Sequence, residues 1–198
     1  IGGDGSHEFH VLADSGEDAL AFCPDSGYAA NVELAEAILP AEPFSGNLLP
    51  LQKIETPNAK TCEQVAQFLD IEIKQILKTI AVIAEDRFSL LLLRADHELN
   101  EVKLKKLRGF SNFRFASDAE IVDKLGCPPG FIGPSGVDPS IEIILDRSAA
   151  VMGNFVCGAN EAPYHFTQAN FDRDLPRPET IADTRNVVEG DPSPDGQG

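Results

Sequence analysis

Residues 79–94, TIAVIAEDRFSLLLLR, hold two strongly apolar runs on either side of a short charged stretch. The first run extends from Thr79 to Ala84 and the second from Phe88 to Leu93, with three charged residues at 85–87 between them. Apolar runs of this length that are bounded by turn residues are typical of buried strands. We therefore predict a hairpin of two buried strands at the centre of the core.

Helix signals lie on both sides of this hairpin. Thr61 with Gln64, and Ser117 with Glu120, each form a capping box, in which side chains satisfy the free N–H groups at a helix start. Apolar residues follow each box at helical spacing. We predict helical segments at five places: from about Tyr28 to Ala37, from Thr61 to Leu69, from Ile73 to Leu77, from Asp96 to about Leu107 with a stop at Gly109, and from Ser117 to Gly126.

Further strand-like runs accompany the hairpin. We predict them at five places: around Phe9, at Ala19 to Phe22, at Phe113 to Phe115, at Ile141 to Leu145 and at Tyr164 to Phe166. Strands and helices are mixed without strict alternation. The expected fold class is therefore α/β or α+β, with a mixed, mainly antiparallel β-sheet and surrounding helices.

Composition divides the chain into three parts. Residues 39–50, LPAEPFSGNLLP, lack a clear period and are typical of a linker, and the Pro, Asp, Gly and Ser content after Pro176 predicts a poorly packed tail. We therefore expect boundaries that separate residues 1–46, 47–175 and 176–198. Because the chain begins with Ile1 and no leader pattern follows, we expect it to be a piece of a longer polypeptide.

The net charge of −16 is unevenly distributed. Residues 1–46 hold nine acidic residues and no lysine or arginine, whereas residues 47–171 are nearly balanced, with 16 acidic against 13 basic residues. The basic run at Lys103, Lys105, Lys106 and Arg108 fits a polyanion contact or simply the solvated face of a helix. No apolar run approaches the roughly 18 residues of a membrane span, so we expect a soluble globular protein without a membrane partner.

The metal and nucleophile signals are weak. The four cysteines are far apart and form no Cys-x-x-Cys pair, which argues against zinc and a disulfide scaffold and indicates a reducing compartment. His7 and His10 would lie on opposite faces of a strand, so we expect no metal site there. Phosphate-loop and dinucleotide motifs do not occur, nor does a Ser-His-Asp or Cys-His pattern.

The loop from Gly130 to Pro134 is a stronger candidate. Glycine lets a backbone approach a ligand closely and proline stiffens the loop, so its N–H groups could face an oxyanion; a plain turn is the other reading. Lys78 either stabilises a helix end or points into a cleft. Asp146 and His165 lie beside predicted strand ends, where Asp146 could equally cap a helix and His165 could be a core histidine.

In this order, these pieces resemble the editing domain that is inserted into bacterial prolyl-tRNA synthetases. The first block, GGDGSHEFHVLADSGEDALAF, resembles the core segment that precedes the insertion. The blocks that resemble the insertion itself are KIETPNAKT, LKTIAV, RADHELNEVKL, GFIGPSGV, ILDRSAAVMGNFVCGAN and YHF. The resemblance covers nearly the whole chain and implies an editing-domain fold for residues 47–175. It also implies that residues 1–46 are catalytic-core fragment plus linker and that residues 176–198 return to that core.

The resemblance also implies an activity. The family's insertion hydrolyses alanine mischarged on the proline tRNA, so the partners would be the alanine-carrying acceptor end and the parent synthetase's catalytic core, in the cytoplasm. By resemblance, Lys78 holds the phosphate region of the tRNA terminus, and Gly130, Gly133 and Pro134 belong to the loop that positions the ester and water. Thr56, Asp146 and His165 correspond to the substrate pocket, with His165 implicated in amino-acid selectivity. Editing would use no cofactor or metal, whereas ATP and magnesium would serve only proline ligation by the parent enzyme.

The size of alanine supports this interpretation. A synthetic pocket that admits proline cannot firmly reject the smaller alanine, because lost contacts of about one methylene are worth only about 1–3 kcal/mol. A second pocket that admits alanine and excludes the proline ring would correct the error. Two alternatives remain open: an insertion that binds the tRNA acceptor stem without catalysis, and a free-standing aminoacyl-tRNA deacylase.

Overall fold

The computed structural model describes residues 19–38 and 43–194, so His7, His10 and the predicted strand around Phe9 lie outside the described residues. The elements in chain order are β1 Leu20–Phe22, β2 Ala29–Asn31, β3 Gln52–Glu55, α1 Cys62–Leu69, a 3₁₀ turn Ile73–Gln75, β4 Leu77–Ala84, β5 Arg87–Arg94, α2 Glu101–Lys106, β6 Phe113–Phe115, α3 Asp118–Leu125, β7 Glu142–Asp146, α4 Arg147–Ala150, β8 Phe155–Gly158, β9 Tyr164–Ala169 and β10 Thr180–Ala182.

The predicted hairpin is confirmed as the centre of a five-stranded sheet. β4 and β5 pair antiparallel from Leu77 opposite Arg94 to Ala84 opposite Arg87. Glu85 and Asp86 both have positive φ, as the two-residue turn that joins twisted strands requires. The sheet order is β10-β7-β5-β4-β6, and β7 runs parallel to both β5 and β10. The predicted mixed sheet is therefore confirmed.

A smaller sheet packs against the first. Its order is β3-β9-β8, with both pairings antiparallel, and a parallel bridge between Ile76 and Val156 links it to the start of β4. The buried cluster between them combines residues of both sheets: Leu77, Leu92, Leu145, Phe155, Cys157 and Ala169. Complete burial of a leucine-sized side chain contributes about 1.5–3 kcal/mol, so this contact fixes the two sheets against each other.

Both predicted capping boxes are present. Thr61 caps α1 and Ser117 caps α3, and in each case the residue at the third helical position returns the bond. The helix predicted from Asp96 is shorter than expected, because α2 begins only after Asn100, whose side chain accepts a hydrogen bond from the Lys103 N–H. Asp96 instead accepts two hydrogen bonds from Arg94.

Two sequence predictions near the chain ends were wrong. No helix forms among the described residues from 28 to 37; β2 pairs with β1, because the PDSG turn after Cys23 closes a hairpin with a bond from the Cys23 N–H to the Tyr28 carbonyl. Within residues 177–194 the chain is anchored to the domain and not loosely packed throughout, since β10 extends the large sheet and the Arg185 side chain is 1% exposed. Among residues 19–38 and 43–194, no helix is long and apolar enough to cross a bilayer.

Candidate active site

The side chains of Thr56 and His165 form a buried pair in the small sheet. Thr56 follows β3 directly and His165 lies within β9, opposite Ile54 of β3. The Thr56 Oγ1 lies 2.7 Å from Nδ1 of His165 and 3.1 Å from the carbonyl oxygen of Pro163. Thr56 is 0% exposed and His165 4% exposed. The antiparallel register thus brings together two residues that the resemblance assigned to the substrate pocket.

The His165 side chain interacts with both Thr56 and the Gly130 loop. Burial lowers its pKa, and a hydrogen bond to the backbone of Gly130 opposes that shift. A bond that raises the pKa of histidine is one that the ring donates, so the acceptor is the Gly130 carbonyl. The Thr56 hydroxyl donates to the Pro163 carbonyl, and its oxygen lies within hydrogen-bond distance of Nδ1 of His165. His165 therefore connects the residue after β3 to the Gly130 loop.

Gly130 occupies a position that only glycine fits well. Its φ is +94°, and a Cβ there would lie 2.8 Å from the carbonyl oxygen of Lys60, just before α1. The next residue, Phe131, is 3% exposed, and its ring centroid lies 5.5 Å from that of His165. The loop is therefore wedged between the start of α1 and the His165 side chain.

The other end of the loop packs backbone against backbone. A Cβ on Gly133 would overlap the carbonyl oxygen of Gly158, and a Cβ on Gly158 would overlap the carbonyl oxygens of Phe131 and Ile132. Both positions require glycine because β8 ends directly beneath the loop. Gly133 was predicted from the sequence as part of the loop, whereas Gly158 was not.

Asn160 is a second residue that sequence reasoning missed. Its Oδ1 accepts from the Gly133 N–H at 2.7 Å, and its Nδ2 donates to the carbonyl oxygens of Gly133 and Ser135 at 2.9 and 2.6 Å. Its own N–H donates to the Phe131 carbonyl at 2.9 Å. Asn160 has φ +52°, a left-handed conformation that asparagine tolerates better than most residues. No sequence signal singled it out, because the strand before it, β8, was not predicted.

Lys78 lies at the start of β4, half-buried. Its Nζ donates to the carbonyl oxygens of His97 and Ala95, and its charge lies close enough to Cys62 to oppose the burial that raises the pKa of that thiol. Lys78 therefore lies beside the first turn of α1. Strand alternation places it on the sheet face of Val82, which α2 covers.

The Gly130 loop approaches the sheet from the opposite face. Phe131 and Ile132 pack against Ala81 and Leu90 there. The structure thus brings Thr56, His165 and the loop together, whereas Lys78 shares with them only the neighbourhood of the α1 N-terminus, where the loop contacts Lys60.

Asp146 acts as a structural cap in this structure. Its Oδ1 accepts from the Ser148 N–H at 2.9 Å, and its Oδ2 accepts from the N–H and hydroxyl of Thr184 at 3.0 and 3.1 Å. The Arg185 Nε lies 4.0 Å away. Asp146 therefore ties β7 to α4 and to the segment after β10, and its contacts do not include the loop. Its assignment to the substrate pocket stays a prediction.

The buried imidazole of His97 completes this polar cluster. Burial lowers its pKa to about 4, and the nearby guanidinium groups of Arg185 and Arg94 act in the same direction. Its Nε2 lies 2.8 Å from the Arg94 side chain, while Nδ1 has no hydrogen-bond partner. His97 is therefore a neutral residue whose carbonyl oxygen accepts a hydrogen bond from Lys78.

Across residues 19–38 and 43–194, no group of three or more His, Cys, Asp or Glu side chains is placed to bind a metal.

Two solved structures share this fold. A hypothetical protein superposes with a TM-score of 0.58 and 20% identity, over 70% of this chain and 93% of its own. A protein proposed to be a trans-editing enzyme for prolyl tRNA synthetase superposes with a TM-score of 0.55 and 21% identity, over 69% of this chain and 87% of its own. At such identities the likeness establishes the class of fold, a mixed-sheet domain of the type that this trans-editing protein has.

The sequence comparison identifies the family. The model of the aminoacyl-tRNA editing domain matches residues 56–175, which is more than half of the chain. The chain belongs to the aminoacyl-tRNA editing domain family, and the resemblance seen in the sequence blocks is confirmed.

The curated relatives are proline–tRNA ligases. Those of Methylobacillus flagellatus and Nitrosomonas eutropha are 60% and 61% identical over 203 and 198 residues, which include the whole of this chain but only 35% and 34% of each relative. The chain therefore spans about a third of the length of these relatives.

Proposed function

We propose that this domain hydrolyses the ester bond of alanine mischarged on the proline tRNA. The main support for this proposal is that the Gly130–Pro134 loop contacts the buried Thr56–His165 pair, within the residues that match the editing family. In the proposed reaction, water attacks the ester carbonyl carbon and the carbonyl oxygen becomes an oxyanion. The bond to the terminal ribose oxygen then breaks, that oxygen takes up a proton, and free alanine leaves.

The loop backbone supplies the oxyanion donors in this proposal. Pro134 has no N–H, and the Gly133 N–H is bound to Asn160, so the N–H groups of Gly130, Phe131 and Ile132 remain. Among the residues that the structure describes, none of these three N–H groups has a hydrogen-bond acceptor. Fixed backbone donors near a developing oxyanion are worth about 10²–10³ in rate. Because an aminoacyl ester is already activated, the domain needs no protein nucleophile, metal or cofactor.

Phe131 and His165 would form the wall that excludes proline, because both are buried and their packed rings cannot easily make room for a pyrrolidine. Lys78 would attract the phosphates of the acceptor end through its charge. In the longer protein, ATP and magnesium would serve proline ligation by the catalytic core. A role in translation would place the domain in the cytoplasm.

The test is to incubate the 198-residue protein with proline tRNA that carries alanine, proline or cysteine, and to time the release of each amino acid. The proposal expects release of alanine and retention of proline. Binding of the acceptor end without release of any amino acid would overturn it and favour a non-catalytic insertion. Equal release from an unrelated tRNA would overturn the assignment to the proline tRNA.

A further inference from the structure

We propose that Asn160 is the positioning residue of the Gly130–Pro134 loop and sets which backbone N–H groups face the reacting ester. This inference rests on the proposed function. Its basis is the set of four hydrogen bonds from one residue to the loop, three through the side chain and one through the backbone N–H.

The first step concerns the orientation of the peptide groups. By binding both the N–H and the carbonyl of Gly133, the Asn160 amide fixes the peptide groups on both sides of that residue. A residue whose N–H alone is hydrogen-bonded can still rotate its following peptide group, whereas a residue whose N–H and carbonyl are both bonded cannot. Asn160 thus determines the direction of the loop immediately after Ile132.

The second step concerns the other end of the loop. The Asn160 N–H binds the Phe131 carbonyl, and Gly158 presses against the carbonyls of Phe131 and Ile132. Because the C=O and N–H of a trans peptide group point in opposite directions, the N–H of Ile132 is turned away from Asn160 when the Phe131 carbonyl is held by it. The Gly130 carbonyl is held separately by His165. Asn160 and His165 therefore hold the two ends of the segment whose N–H groups remain available.

The third step explains why asparagine suits this position. Only a side chain with both a donor and an acceptor can bind the N–H and the carbonyl of the same residue. The left-handed φ of +52° at position 160 also favours asparagine or glycine. Asparagine meets both requirements, and Asn160 binds both groups of Gly133 through its side chain.

The test compares Asn160→Gly with a matched control, Asn154→Gly. Asn154 also has a left-handed φ, of +49°, and also makes three side-chain hydrogen bonds, but to Asn47, Leu49 and Asn170 instead of the loop. Glycine accepts both conformations, so each variant removes only a set of side-chain bonds. The readouts are kcat and KM for hydrolysis of alanyl-tRNA, thermal unfolding, and amide hydrogen exchange at Gly133.

We expect Asn160→Gly to lower kcat about 10- to 100-fold with KM almost unchanged, because displaced donors lose transition-state contacts and not ground-state binding. Gly133 exchange should accelerate in this variant only. Asn154→Gly should lose comparable thermal stability and keep its kcat. Equal kcat losses in both variants, or faster Gly133 exchange with kcat unchanged, would overturn the positioning role. If the unmodified protein hydrolyses no aminoacyl-tRNA, the proposed function fails and this role fails with it. Amide exchange at Gly133 still reports whether the Asn160 side chain holds the Gly133 peptide groups.

Discussion

The Thr56 hydroxyl lies 2.7 Å from Nδ1 of His165, although the residues are 109 positions apart in the chain. Because His165 also forms a hydrogen bond to the backbone of Gly130, its contact with Thr56 connects the end of β3 to the loop. The position of the loop relative to the small sheet therefore depends on a hydrogen bond between residues that are distant in the sequence.

Replacement of Thr56 by valine tests this bond. Valine keeps the shape of the side chain but leaves Nδ1 of His165 buried without its hydrogen-bond partner, which costs about 1–3 kcal/mol of unfolding free energy. Thr79→Val is the matched control, since the buried Thr79 Oγ1 has no hydrogen-bond partner and its loss should be neutral or stabilising. Urea denaturation of both variants measures the difference. Equal effects would show that the Thr56–His165 bond contributes nothing.

Replacement of His165 by alanine tests selectivity. The variant removes the ring that packs against Phe131 and the bond to the Gly130 carbonyl, so the site becomes wider and its loop less constrained. We expect measurable release of proline from prolyl-tRNA and slower release of alanine. Complete protection of proline in this variant would contradict the role of His165 as a pocket wall.

Replacement of Gly130 by alanine tests the close approach to Lys60. At φ +94° any side chain is strained, which costs about 1 kcal/mol, and here the new Cβ would also lie 2.8 Å from the Lys60 carbonyl. Gly190→Ala is the control, because φ is +88° there and a Cβ meets nothing within 4 Å. We expect Gly130→Ala to lose more stability and most of its hydrolysis, whereas Gly190→Ala retains activity. Equal losses of stability and activity in the two variants would show that the close approach to Lys60 does not matter for either property.

Replacement of Lys78 by alanine tests the phosphate contact. Alanine release should slow and its dependence on salt should weaken, because one cation that displaces counterions from the tRNA has been removed. Lys74→Ala is the control, since the Lys74 side chain is 58% exposed and pairs with Glu72 in the preceding turn. Unchanged hydrolysis and an unchanged salt dependence for Lys78→Ala would remove Lys78 from the mechanism.

The buried His97 predicts a pH dependence of stability. Its pKa is lowered by burial to about 4 in the folded state, from an ordinary value of about 6.5, so the unfolded chain binds the proton first. The stability contributed by neutral His97 is therefore complete above about pH 6.5 and is lost as the pH falls toward 4. The full loss amounts to about 3 kcal/mol. Urea denaturation from pH 7 to 4 measures it, and His97→Gln should flatten the curve in this interval. An identical curve for the variant would contradict the prediction.

Local patterns in the sequence were sufficient for much of the fold. Apolar runs predicted β4, β5, β6 and β7, and the capping boxes predicted α1 and α3, because these signals depend on neighbouring residues only. The short strands β3, β8 and β10 were missed. β3 has only one half-buried residue, Ile54, and β10 has none that is fully buried, so their own patterns are weak and their partner strands define them.

The candidate residues Thr56, Gly130 and His165 could be named from sequence blocks, but their roles could not. Strand register determines that Thr56 bonds to His165 and that Lys78 faces away from the loop. It also places Asp146 where its carboxylate accepts hydrogen bonds from Ser148 and Thr184. Asn160 could not be singled out at all, since its importance lies in contacts with residues 25 to 29 positions earlier.

The sequence by itself determined the family, the central hairpin and the presence of a glycine-containing loop, because these depend on the order and chemistry of adjacent residues. Only the tertiary structure decided which backbone N–H groups of that loop are occupied and which are available. The physical reason is that Gly158 at the end of β8, Asn160 in the following turn and His165 in β9 all contact the loop. The pairing of β8 with β9 sets the direction of the peptide groups that these residues hold.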